Sequence, residues 1–192
     1  MVVTLRAMIA IGACILALTG FSKGSAAQPD PWQLLRQPGY VVFMRHADAP
    51  GGVGDPPDFR VEDCATQRNL SAKGRADAEK IGLRLKAEGI AFEKIQSSPW
   101  CRCIDTANLL KLGTVETEST FGNVVVLKDQ RQTLTAGARA LIAQWTAGGN
   151  LLVVTHGANV QALTGVWLAS GEIVVVKGGS DRIEPVGRLL LD

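Results

Sequence analysis

Two runs of apolar residues, each followed by a histidine, stand out along the chain. Residues 40–44 lead into Arg45 and His46, and residues 151–155 lead into His156. Short apolar runs rich in valine and leucine are typical of strands buried on both faces of a sheet. The pattern therefore predicts two buried strands that each end at polar residues.

Segments with helical spacing alternate with these strands. Ser71 is a suitable N-cap for a helix over residues 72–88, and Gly89 is placed to end it. The same kind of pattern predicts a strand at 94–97, a helix from 99 to about 112 capped by Ser98, a β-like run at 124–127, helices at 132–147 and 159–167, and a hairpin of 172–177 with 188–191.

This alternation predicts the α/β class. We expect a three-layer α/β/α sandwich with a mainly parallel central sheet and an antiparallel addition near the end of the chain. In such sheets the ligand crevice lies outside the carboxyl ends of the strands. Arg45, His46 and His156 follow those ends, so they are placed where a substrate would bind.

The first residues have the pattern of a secretory signal. Arg6 is followed by uncharged, mostly apolar residues up to Ser22, and small residues precede Gln28. We predict a signal peptide over residues 1–27, a single domain over 28–192, and an exported protein, periplasmic or secreted. The apolar run is shorter than a membrane span needs, which disfavours an uncleaved anchor, and it continues past Cys14, which disfavours a lipoprotein signal.

Removal of the leader leaves a chain without net charge. Arg6 and Lys23 would be lost and no acid, so the 20 basic residues fall to the number of the 18 acids. Zero net charge argues against a broad basic surface that binds nucleic acid or a membrane. We expect a small phosphorylated substrate as partner, no nucleic acid and no stable membrane association; the oligomeric state is left open.

Three cysteines remain after the leader. In an oxidising compartment, Cys64 is expected to form a disulfide with either Cys101 or Cys103. A zinc site is disfavoured because the paired C-x-x-C spacing is missing. No P-loop or nucleotide-binding fingerprint is present either, so we predict no metal and no cofactor.

Arginines join the histidines at the predicted sheet edge. Arg102 falls in the first turn of the helix after strand 94–97, where unpaired N–H groups and a guanidinium favour an anion. The loop over residues 48–63 and the arginines within or beside it, Arg60 and Arg68, are further candidates for contact with an anionic substrate. Together with Arg45, His46 and His156, this set predicts a pocket for a dianion.

Four ordered motifs carry a resemblance to the histidine phosphatase superfamily. They are Arg45-His46-Ala47 after the first strand, Leu70-Ser71-Ala72-Lys73-Gly74 at a helix start, Ser97-Ser98-Pro99-Trp100-Cys101-Arg102, and His156-Gly157. The resemblance covers roughly residues 40–167 and implies a histidine phosphatase-like fold. It implies that His46 is the nucleophile, that a phosphohistidine forms on it, and that Arg45, Arg102 and His156 bind the substrate.

The resemblance therefore implies a metal-independent phosphomonoester hydrolase. A mutase is disfavoured because phosphoglycerate chemistry is cytosolic and the chain has the pattern of an exported protein. The alternative is a catalytically weak protein that binds phosphorylated ligands in the same pocket. A retained nucleophile, His46, favours the enzyme.

The resemblance leaves open which residue is the general acid that protonates the leaving group. His156-Gly157-Ala158-Asn159 is similar to the His-Asp-x-Asn of the acid phosphatase and phytase branch, but Gly157 stands where that branch has its proton-donating aspartate. Glu172 is the first candidate, because Ser170-Gly171-Glu172 is similar to a Gly-Gly-Glu of the same branch. The other candidates are Glu116, Glu118, Asp48 and Asp63.

Overall fold

Strands and helices alternate along most of the chain. The computed structural model describes residues 30–146, 148–180 and 182–191, so the signal predicted at 1–27 lies outside the described residues. The strands are β1 (Tyr40–Arg45), β2 (Lys94–Ser97), β3 (Val115–Thr117), β4 (Leu151–Thr155), β5 (Ile173–Lys177) and β6 (Pro185–Leu189). The helices are α1 (Pro31–Leu35), α2 (Ala72–Ala87), α3 (Cys101–Leu109), α4 (Arg131–Gln144) and α5 (Gly157–Thr164), with 3-10 turns at Cys64–Thr66, Ser119–Phe121 and Lys128–Gln130.

The strands form one six-stranded mixed sheet in the order β3-β2-β4-β1-β5-β6. The pairs β3–β2, β2–β4 and β4–β1 are parallel, whereas β5 runs antiparallel to β1 and β6 antiparallel to β5. The predicted fold class, with its antiparallel addition near the end, is confirmed. The neighbouring parallel strands β2, β4 and β1 end at the same edge, and the site is built there.

The two faces of the sheet pack on different helices. Val42 and Met44 of β1 face the cluster that contains residues of α1, α2 and α3, whereas Val41 and Phe43 face the cluster that contains residues of α4 and α5. All four side chains are buried, as the alternation of strand side chains requires when both faces are covered. Helices on both faces complete the three layers.

The start of α2 is fixed against the chain that follows β1. The Ser71 hydroxyl accepts a hydrogen bond from the Gly74 N–H at 2.9 Å, which is the predicted N-cap. A Cβ at position 74 would lie 2.1 Å from the Asp48 carbonyl oxygen, so only glycine permits this approach. The contact holds residues just before α2 close to His46 and its neighbours.

Two local predictions were wrong, for reasons of hydrogen bonding. Residues 124–127 form turns rather than a strand, because Asn123 accepts hydrogen bonds from Val125, Val126 and Leu127 through its side chain and its carbonyl. Ser98 does not cap α3; the N-cap residue is Trp100, without a side-chain cap bond. The hydroxyl of Ser98 is engaged with His156 instead.

A disulfide joins Cys64 to Cys101, and Cys103 is a buried free thiol. This pairing is one of the two that the sequence allows. It fastens the segment after loop 48–63 to the first residue of α3. Across the part of the chain that the structure describes, no helix has the length and apolar character to cross a bilayer.

Candidate active site

Three strand ends bring Ser98, His156 and His46 together. These residues follow β2, β4 and β1, which are neighbours in the sheet. The rings of His46 and His156 lie edge to face with 5.5 Å between their centroids. Two residues that are distant in sequence are thus placed in contact by parallel pairing of β1 with β4.

The tautomer of His46 follows from its one backbone contact. Its Nδ1 lies 2.8 Å from the Ala47 carbonyl oxygen, which can only accept, so Nδ1 carries the proton. Nε2 then has a free lone pair. Burial lowers the pKa of His46 to about 3, and the charges of Arg102, Arg45 and Arg68 act in the same direction. His46 is therefore neutral at physiological pH, as a nucleophile must be.

His156 is held between a hydroxyl and a guanidinium. The Ser98 hydroxyl lies 2.9 Å from Nε2, and Nη2 of Arg102 lies 3.5 Å from Nδ1. Burial lowers the pKa of His156 well below its ordinary value, and His46 and Arg102 add to that effect. His156 is thus a neutral polar group of fixed orientation beside His46.

A small cavity of about 70 Å³ opens at this edge. The polar residues of its lining are His46, His156, Arg45, Arg68 and Asn123, and loop residues 52–54 also line it. Nη1 of Arg45 donates to the Leu168 carbonyl at 2.8 Å, and Nη1 of Arg68 donates to the carbonyls of Ala49, at 2.9 Å, and Gly52. The structure therefore brings Arg45, His46 and His156 together with Arg68, one of the two loop arginines named as candidates, whereas Arg60 does not line the cavity.

Arg102 lies behind this cavity and not in its lining. Its guanidinium and the Asp55 carboxylate are completely buried and form two hydrogen bonds, of 2.6 and 3.0 Å. Asp55 also accepts from the Trp100 indole and the Arg68 N–H. Burial alone would raise the pKa of Asp55, but the hydrogen bonds and charge of Arg102 outweigh it and hold that pKa low.

Each of the three arginines keeps one donor unused. Nε of Arg45, Arg68 and Arg102 is buried without a hydrogen-bond partner, and only two other side-chain atoms in the described part of the chain share this state. A buried N–H without a partner costs about 1–3 kcal/mol. The three donors belong to arginines whose charges all act on His46.

Comparison with known proteins identifies the fold. Residues 41–123 match the family model described as histidine phosphatase superfamily (branch 1). The structure of the protein histidine phosphatase SixA complexed with tungstate is similar, with a TM-score of 0.55 at 20% identity over 78% of this chain and 96% of that one. The fold is that of the histidine phosphatase superfamily.

Other solved structures with this fold are similar to a comparable degree. A SixA described as a putative phosphohistidine phosphatase, from Agrobacterium tumefaciens, gives a TM-score of 0.54 at 19% identity over 81% of this chain and 100% of that one. The mycobacterial glucosyl-3-phosphoglycerate phosphatase gives 0.54 at 16% identity over 73% and 90%. No curated protein sequence matched the chain.

None of the five candidate acids lines the cavity that contains His46 and His156. Glu172 accepts from Arg188 through one oxygen and from the Ala169 N–H, at 2.7 Å, through the other. Each of the remaining four has partners elsewhere: Lys94 for Glu116, Thr120 for Glu118, Ser71 for Asp48, and Arg60 and Ala65 for Asp63. Both carboxylate oxygens of Glu172 are thus engaged outside the cavity lining.

Cys103 contacts the site but is not a second nucleophile. Its Sγ lies 3.7 Å from Nε2 of His156, which resembles a cysteine–histidine pair. Burial raises the pKa of the Cys103 thiol to about 12. The thiolate is the reactive form, so this thiol is inert at physiological pH.

Gly157 packs against Arg45. A Cβ at position 157 would lie 3.2 Å from Cδ and 3.4 Å from Nε of that arginine. A side chain at position 157 would therefore require Arg45 to shift by a few tenths of an ångström.

The low pKa of His46 predicts a pH-dependent stability. The unfolded chain takes up a proton on this residue below about pH 6.5, whereas the folded chain does so only near pH 3. The contribution of neutral His46 to the free energy of unfolding is therefore complete above pH 6.5 and is lost as the pH falls. Between pH 7 and 5 we expect His46 alone to lower the free energy of unfolding by about 2 kcal/mol.

Urea unfolding at pH 7 and pH 5 measures this loss. His46→Asn, which does not titrate in that range, should lose about 2 kcal/mol less than the parent. Equal losses in parent and variant would mean that His46 is protonated at pH 5 in the folded state.

Sequence reasoning left Asp55 out and did not select Arg68 among the loop arginines. Arg68 stands two residues before the Leu70-Ser71 motif that begins α2. That position in the sequence was the available signal. Asp55 had no such signal, because it reaches Arg102 only through the conformation of loop 48–63.

Proposed function

We propose that the protein is a metal-independent phosphomonoester hydrolase that acts through a phosphohistidine on His46. The observation that carries this proposal is a neutral histidine with a free Nε2 lone pair in a cavity lined by Arg45 and Arg68, each of which has a buried Nε donor without a partner. An oxyanion bound by the arginines that line the cavity would lie next to the free Nε2 of His46. Arg45 and Arg68 supply donors for the charge stabilisation that phosphoryl transfer needs, and Arg102 adds its charge from behind them.

The charge of the site supports a dianion. Arg45, Arg68 and Arg102 carry three positive charges, and Asp55, which contacts two of them, carries one negative charge. With both histidines neutral, two positive charges remain in this set. A phosphate monoester carries about −1.5 to −2 at neutral pH, which balances them.

The reaction proceeds in two displacements. Nε2 of His46 attacks phosphorus, a P–N bond forms, and the bond to the ester oxygen breaks with its electron pair on that oxygen. Water then attacks the phosphohistidine, the P–N bond breaks, and inorganic phosphate is released as the imidazole regains its lone pair. In this proposal Arg45 and Arg68 bind phosphoryl oxygens, and Arg102 adds charge from behind and orients His156.

The compared proteins support a phosphoryl ligand. SixA was solved with tungstate, a tetrahedral oxyanion, and the mycobacterial relative is described as a phosphatase. A cavity of about 70 Å³ accommodates a group of phosphoryl size and leaves the rest of a substrate outside. We propose broad phosphatase activity rather than selectivity enforced by an enclosing pocket.

A phospho-ligand-binding protein is the second candidate. The observation that favours it is that no carboxylate lines the cavity in the part of the chain that the structure describes. Such a protein would use the same arginines without turnover.

Hydrolysis of p-nitrophenyl phosphate in the presence of EDTA tests the proposal. We expect turnover and, after an alkaline quench, a peptide containing His46 that carries one phosphoryl group. A folded protein that binds phosphate but shows neither turnover nor adduct between pH 4 and 8 would overturn the hydrolase and support the binder.

We further propose that the protein is exported. The pattern of residues 1–27 and the Cys64–Cys101 disulfide support an oxidising compartment. Detection of the chain from residue 28 in a periplasmic or culture fraction is the expected result.

A further inference from the structure

The mouth of the cavity is apolar, in contrast to its polar lining. Val53 is 85% exposed and Trp167 is 54% exposed, whereas His46 and His156 are 3% and 4% exposed. Both apolar residues line the same cavity. Four large hydrophobic residues are exposed in the described part of the chain, and two of them therefore flank this one opening.

Trp167 is held in place at the mouth. The Arg45 guanidinium carbon lies 5.8 Å from the centre of the indole. The Glu172–Arg188 ion pair fixes the backbone on the other side: Arg188 donates to the Trp167 carbonyl at 3.4 Å, and Glu172 accepts from Ala169. A fixed, half-exposed indole next to a phosphoryl site offers a flat surface to the group that carries the phosphate.

The cavity lacks a proton donor for a strongly basic leaving group. None of its lining residues in the described ranges is a carboxylic acid, and both histidines are neutral and committed to other contacts. General acid catalysis is worth about 10²–10⁴-fold in rate, and its need falls as the leaving oxygen becomes less basic. A phenoxide leaves without prior protonation far more readily than an alkoxide.

We infer that the preferred substrates are aryl phosphates, whose aromatic ring lies against Val53 and Trp167 while the phosphoryl group occupies the cavity. This inference rests on the proposed hydrolase. When Nε2 of His46 attacks, the P–O bond to the ring breaks and the electron pair leaves on the phenoxide. The phenoxide takes its proton from solvent, so no protein acid is consumed.

Binding of two phosphonates separates ring recognition from turnover. Phenylphosphonate and methylphosphonate share the anionic group and differ in the ring. We expect the parent to bind phenylphosphonate about tenfold more tightly, as burial of one ring face implies. Val53→Ser and Trp167→Ala should reduce that ratio to about threefold or less, and Trp167→Phe should retain most of it. Leu83→Ser, which changes an exposed leucine on α2, should keep the ratio.

Hydrolysis of phenyl phosphate and benzyl phosphate tests the leaving group, since both carry a ring and only benzyl alkoxide needs a proton. We expect kcat/KM to be at least about 10²-fold higher for phenyl phosphate. The inference is overturned if the parent binds both phosphonates equally, if the ratio survives both mouth variants, or if benzyl phosphate is hydrolysed as fast. A tenfold ring preference with no turnover of either ester would support the aryl site and refute the hydrolase.

Discussion

Replacing His46 by asparagine should lower kcat/KM for p-nitrophenyl phosphate by at least about 10⁴-fold. The asparagine amide can still donate to the Ala47 carbonyl, which accepts from Nδ1 of the native histidine. The substitution therefore removes the nucleophilic lone pair and preserves the hydrogen bond. Phosphate affinity should change by less than about tenfold, because the arginines remain.

His156→Gln is the matched comparison. An amide at this position can still contact the Ser98 hydroxyl, and His156 is not the attacking group in the proposal. We expect a loss of about 10²–10³-fold, with the phosphoryl adduct still detectable on His46. If His46→Asn retained more than a tenth of the parent activity, or if only His156→Gln abolished the adduct, the nucleophile would be assigned to the wrong histidine.

Asp55→Ala should lower the free energy of unfolding by about 3–5 kcal/mol. The carboxylate of Asp55 accepts from Arg102, Trp100 and the Arg68 N–H, and its side chain and that of Arg102 are completely buried. Removal of one partner leaves a buried guanidinium without its counter-charge. The loss should appear in urea unfolding at pH 7, and phosphate binding should weaken because Asp55 no longer holds loop 48–63 to Arg102 of α3.

A double variant distinguishes the ion pair from simple loss of packing. Asp55→Ala with Arg102→Met removes both charges and should recover most of the stability lost in Asp55→Ala, without restoring activity. Glu79→Ala breaks an exposed pair with Lys111 and should cost less than about 1 kcal/mol. Additive losses for Asp55 and Arg102 would show that the pair carries no coupling energy.

The strand ends that carry the histidines were predictable because their signal is local. An apolar run defines β1 or β4 on its own, and the chain direction then places His46 and His156 at the same edge of the sheet. The helix α2 was predictable for the same reason, since Ser71 and Gly89 mark its ends within the sequence. The types and order of these elements therefore followed from the sequence, whereas α1 and β3 were not predicted.

The contacts within the site were harder to predict from the sequence. Asp55 and Arg102 are 47 residues apart, and their pairing depends on how loop 48–63 folds over α3. Ser98 satisfies the sequence rule for an N-cap, but its hydroxyl contacts His156, a partner supplied by a distant strand. Glu172 has the spacing of a family motif, yet Arg188 on β6 engages it. In each case a long-range partner decides what a residue does.

Gly157 has a consequence for how such a site can change over evolutionary time. Because a Cβ at position 157 would lie 3.2 Å from Cδ of Arg45, an aspartate there requires that side chain to shift by a few tenths of an ångström. A lineage that gained the acid by this single step would first disturb an oxyanion donor. Acquisition of the acid therefore requires an adjustment of Arg45, and the free energy of that adjustment decides whether the single substitution is tolerated.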